Sequence, residues 1–149
     1  MATLAHPTTG EFGNQSSGAG SIRAVLEGAV DAAPSHVRPP RGWLRRLFAR
    51  DCSARALIER YGLWPAIEHA YGRVTREYGP MRVEIRALED ADGDCIVEVN
   101  LYGDVTIDDD LFEFESAVFH ETCRLLPGDR YRHLHVEVWR DRRAEQEDE

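Results

Sequence analysis

Arg82-Val-Glu-Ile-Arg-Ala-Leu88, Glu89-Asp-Ala-Asp-Gly-Asp94, Cys95-Ile-Val-Glu-Val-Asn-Leu-Tyr102 is the stretch that decides the fold. Apolar and polar residues alternate on both sides of an acidic turn that contains a glycine. That is the period-two pattern of two half-buried strands joined as a hairpin. Met81, Val83, Ile85 and Ala87 fall on one face of the first strand, with Cys95, Val97, Val99 and Leu101 on the matching face of the second. The opposite face carries Arg82, Glu84, Arg86 and Leu88 beside Ile96, Glu98, Asn100 and Tyr102. Cross-strand charge pairs contribute roughly 0.2–1 kcal/mol each, so ordinary sheet stability accounts for the alternating charges.

Working outward, the residues before the hairpin read as helix. Ser53 is an N-cap for Ala54 to Tyr61, and Gly62 closes that piece. Pro65 suits a first helical turn. Ile67, Ala70, Tyr71, Val74 and Tyr78 then form one apolar stripe, with His69, Arg73 and Arg76 facing away, and Gly79-Pro80 stops the helix. After the hairpin, Asp110 and Glu113 fit a capping box. The helix they open runs to Leu126, and Leu111, Phe112, Phe114, Val118, Phe119, Cys123, Leu125 and Leu126 fill a wide apolar arc. Glu115 and Thr122 fall inside it, and a buried Glu115 needs a partner such as an arginine of the first helices or the N-terminal segment. Arg132 to Trp139 alternates again, as a third strand.

The order α-β-β-α-β predicts an α+β domain of two layers, a three-stranded mixed/antiparallel sheet with two helices on one face. A right-handed crossover is expected to lay the third strand beside the first, making the first strand central. The open face then carries Arg82, Glu84, Arg86, Glu98, Asn100, Tyr102, His133, His135, Glu137 and Trp139.

The domain spans 53–140. Residues 1–40, rich in Gly, Ser, Ala and Pro, read as a disordered or misassigned N-terminal extension, with a short helix near Ser21–Val30 as an alternative. Residues 41–52 are a short basic amphipathic segment in which Trp43, Leu44, Leu47 and Phe48 share a face, a composition suited to docking on a partner or a membrane surface. Residues 141–149 form a charged tail expected to fray.

The formal charge of −9 is uneven: residues 1–50 hold six Arg and three acids, residues 51–149 twelve Arg and twenty-four acids. An acidic domain repels phosphate, so no nucleic-acid partner is expected for it. The basic residues are all arginine, as codon bias in a GC-rich bacterial genome produces. Cys52, Cys95 and Cys123, odd in number and without Cys-x-x-Cys spacing, read as reduced thiols in a cytoplasmic protein. No apolar run has the length of a membrane span.

His133-x-His135-x-Glu137 is the sharpest chemical pattern, because period two puts three metal-ligating groups on one face. His120-Glu121-x-x-Arg124 lacks the second histidine of a zincin helix. Asp90-x-Asp92-Gly93-Asp94 departs from a calcium loop and fits a hairpin turn. No phosphate loop or serine-nucleophile elbow is present. The expectation is a small non-enzymatic interaction module without a cofactor. It binds a protein partner or a second copy through Arg82, Glu84, Arg86, Glu98, Tyr102, His133, His135 and Trp139, with Trp43, Leu44, Leu47 and Phe48 as a docking segment. The alternative is a metal-binding protein or metal-dependent hydrolase using His133, His135 and Glu137.

Overall fold

The computed structural model describes residues 22–34, 52–89 and 91–146. The segment holding Trp43, Leu44, Leu47 and Phe48 lies outside the described residues, as does Asp90. The elements are α1 (residues 22–31), α2 (Ala54–Tyr61), α3 (Trp64–Tyr78), β1 (Arg82–Glu89), β2 (Cys95–Gly103), α4 (Asp109–Leu125), a 3-10 turn (Arg130–His133), β3 (Leu134–Arg140) and α5 (Arg143–Gln146). The fold is α+β, with an open three-stranded mixed sheet.

Local chemistry sets these limits. The Ser53 hydroxyl accepts the Ala56 N–H at 3.2 Å, and Gly62 at φ 60° supplies the left-handed residue that ends α2. At the start of α4 the cap is Asp108, not Asp110: its carboxylate accepts the Leu111 N–H at 2.9 Å, and Asp109 and Asp110 fill the first turn. Any of three consecutive aspartates satisfies the sequence preference, and only the extended backbone at Asp108 selects it.

β1 and β2 pair antiparallel as the expected hairpin, from Arg82↔Tyr102 to Glu89↔Cys95. The sheet order corrects one expectation: β3 lies parallel beside β2, so β2 is central and β1 an edge. Burial explains the choice. Val97, Val99 and Leu101 are each at most 1 % exposed, whereas β1 offers Arg82, Glu84 and Arg86 on its outer face. The more apolar strand takes the position enclosed on both sides.

The core packs Leu57, Ile58, Leu63, Ile67 and Val74 onto Ile85, Val97, Val99, Leu101 and Val138. α1 belongs to it. Leu26 is fully buried, Val30 nearly so, and Asp31 pairs with Arg55 at 2.6 Å. Arg23 pairs with Glu68 and lies 3.9 Å over the Trp64 ring. For residues 22–31 the alternative of a short helix near Ser21–Val30 holds, because their helically spaced apolar residues find a core to bury in. The tail is likewise tied down at its root: the Asp141 N–H donates to the Gly103 carbonyl at 2.9 Å, and its carboxylate meets Arg82 at 3.4 Å.

Cys52 and Cys95 form a disulfide, with Cα atoms 6.2 Å apart, tying the start of α2 to the start of β2. This overturns their reading as reduced thiols and removes that argument for a cytoplasmic location. A separation of 43 residues carries no spacing signal; only the docking of α2 on the hairpin brings the two together. Cys123 remains a free thiol, half-buried.

Candidate interaction surface

Strand register places the open-face residues in rows. Arg82, Tyr102 and Trp139 stand side by side; so do Glu84, Asn100 and Glu137, then Arg86, Glu98 and His135. These side chains satisfy one another. Arg86 donates twice to Glu98, at 2.9 and 2.6 Å. Asn100 donates to Glu98 and accepts the Trp139 indole N–H at 3.0 Å. Arg82 pairs with Glu84 and sits 4.3 Å over the Tyr102 ring. His135 meets Glu137 at 2.9 Å. Asn100, only 2 % exposed, is the hub under these longer side chains. Burial pushes the Glu98 carboxyl up, but the hydrogen bonds from Asn100 and Arg86 outweigh it and hold Glu98 below the usual carboxylate range. Burial and the neighbouring Glu84 push the Tyr102 phenol up.

His133 is not part of this face. It closes the 3-10 turn before β3, where its Nδ1 meets the Cys95 carbonyl at 3.0 Å and its ring stacks on Tyr61 at 3.8 Å. The strand begins at Leu134, so period two does not extend back to His133. His133, His135 and Glu137 therefore do not converge, and no group of three metal-ligating side chains occurs among the described residues. His120 is exposed, with its Nδ1 on the Ser116 carbonyl at 2.6 Å.

Two assignments on the helices change. His69 and Arg73 face α4 rather than solvent: both meet the Glu121 carboxylate, at 2.7 and 3.1 Å, and these bonds lower its pKa. Among the described residues Glu115 has a backbone partner rather than an arginine: its carboxylate accepts the N–H of Val138 at 2.9 Å.

The larger surprise is on α4. Phe112 and Phe119 were expected in the core, yet they are 59 % and 51 % exposed. They line a recess of about 760 Å³ that wraps the free edge of β3. Its walls come from α4 (Leu111, Val118), from the open face (Ile96, Glu137) and from the chain around Ile107 and Tyr131. Exposed Ile107, Phe112, Phe119, Tyr131 and Trp139 all lie here; of the large exposed apolar residues, only Val25 and Leu125 lie elsewhere among the described residues. The signal was in the sequence. From Phe114 to Phe112 the apolar arc spans about 160° at 100° per residue, wider than a helix on one sheet face has to bury.

No protein-family model matches the chain, and comparison with curated proteins and with solved structures finds no match. The surface must therefore be read from its own chemistry. Among the described residues it offers the edge of β3, which pairs with no further strand, and walls that are mainly apolar, with Glu115, Arg132, His135 and Glu137 as the charged or titratable groups among its lining.

Proposed function

We propose that the chain is a non-enzymatic protein-interaction module and that its docking surface is the recess around β3. The single observation behind this is the gathering of Ile107, Phe112, Phe119, Tyr131 and Trp139 at the edge of β3, which pairs with no further strand among the described residues. Contiguous apolar patches of this kind are uncommon on proteins that act alone. Aromatic side chains at the centre of such patches are the usual anchors of binding energy. The open sheet face, proposed from the sequence as the contact surface, supports a narrower role: its charges are already paired, and of its residues Ile96, His135, Glu137 and Trp139 line the recess.

The test compares wild type, Phe119→Glu and Arg86→Ala by light scattering and by affinity capture from cells that express the protein. Association that Phe119→Glu weakens by about tenfold or more, with Arg86→Ala neutral, is the expected pattern for a hot-spot aromatic. A strict monomer whose captured proteins are the same for wild type and Phe119→Glu overturns the proposal.

A further inference from the structure

Resting on that reading, we infer that the occupant of the recess is an extended segment of a partner protein. It is added to β3 as a fourth strand, with apolar side chains toward α4 and basic ones toward the open sheet face.

Layer geometry makes room for one strand. Packed helices stand about 8–10 Å apart, but strands only about 4.8 Å. With α2 across β1 and β2, and α3 across β2 and β3, α4 is pushed outward and overhangs the edge of β3. The recess beneath it is lined both by side chains of α4 (Leu111, Val118) and by open-face ones of the sheet (Ile96, Glu137), as a missing strand position is.

The backbone of β3 is presented for pairing. The Val138 N–H points away from β2, because it meets Glu115 of α4. Amides alternate in direction along a strand, so the Val136 N–H and C=O share that outward direction. The Leu134 N–H is spent inside the 3-10 turn, on the Tyr131 carbonyl. Pairing therefore centres on Val136 and Val138. Glu115 holds the place that a carbonyl of the added strand takes at Val138, and a basic side chain nearby gives the displaced carboxylate a new partner.

Charge selects the occupant. Residues 51–149 hold twelve Arg against twenty-four acids, and among the described residues the recess itself is lined by Glu115 and Glu137 against the single arginine Arg132, with His135 beside Glu137. A basic strand is attracted and an acidic one repelled. A second copy fits poorly on two counts. Both copies carry −9, and two β3 edges at pairing distance bring two overhanging α4 helices into the same space.

The probes are capped peptides of alternating valine and lysine, with a valine–glutamate series as control, titrated against the 15N-labelled full chain. Lysine peptides are expected to bind at least about tenfold more tightly than glutamate peptides and to slow Val136 and Val138 amide exchange about tenfold at saturation. Phe119→Glu, a surface change whose fold is checked by circular dichroism, is expected to abolish both effects. Glu115→Ala, which frees the Val138 N–H, is expected to keep binding. Equal binding of the two series, or binding that leaves Val136 and Val138 exchange unchanged, overturns the strand proposal. So does Phe119-dependent dimerisation, or Phe119-dependent capture with no peptide binding; either leaves the docking surface standing. If peptides fail and association is also independent of Phe119, both readings fall.

Discussion

Replacing Cys52 and Cys95 together by serine removes a cross-link that closes a 43-residue separation between α2 and β2. The cross-link acts chiefly on the unfolded chain, whose loop-closure entropy is lost in proportion to the logarithm of loop length. For n near 43, the entropy expression −2.1 − 1.5R ln n cal/mol/K corresponds to about 4 kcal/mol at 25 °C. Both cysteines are only half-buried, so the serines leave no large cavity and add little to the cost. Urea unfolding of oxidised wild type, reduced wild type and the double serine variant measures the difference. A loss of about 3–4 kcal/mol is expected in both reduced forms, with a fall in Tm of about 10–20 °C for a domain of this size. Non-reducing peptide mapping is expected to recover the Cys52–Cys95 pair with Cys123 free. A loss below about 1 kcal/mol, or a different pairing, refutes the reasoning.

Three further outcomes follow from the packing and the ion pairs. Leu26→Ala is expected to cost about 2–5 kcal/mol in chemical unfolding, because the side chain is fully buried against α2 and α3; a neutral result separates α1 from the domain. Gly103→Ala is expected to cost about 1–3 kcal/mol, since a Cβ there meets the Met81 side chain and, at 3.2 Å, the Pro80 carbonyl. Glu98 and Glu121 have lowered pKa values in the folded chain, so the unfolded chain holds their protons more tightly. Their stabilisation is present above the ordinary value of 4.5 and is lost as pH falls through the lower folded values. Glu98→Gln is expected to flatten part of that acid-side slope in unfolding measured from pH 6 to pH 2.

The hairpin was legible because period two and an Asp-Gly turn agree at Arg82–Tyr102; the two strands pair antiparallel as expected, with Glu89 in the first strand rather than in the turn. Helix limits were legible where a cap is unambiguous, as at Ser53 and Gly62. What escaped depends on contacts distant in sequence. Nothing in the spacing of Cys52 and Cys95 marks them as partners, and nothing local marks His69 and Arg73 as facing Glu121. The place of β3 turned on whether β1 or β2 is better enclosed, which the apolar content of Cys95–Tyr102 indicates and the crossover rule alone does not. His133 was misplaced because a 3-10 turn and the start of a strand share polar, aromatic composition. Phe112 and Phe119 were placed in the core because helical periodicity records an apolar face without saying how much sheet lies beneath it.

The recess at β3 is tested most directly by amide exchange at Val136 and Val138 in the intact chain, with and without saturating valine–lysine peptide. Slowing confined to these two amides, about tenfold and absent in Phe119→Glu, is the result expected if an extended basic segment completes the sheet. Unchanged exchange at both amides in a demonstrably bound state contradicts it.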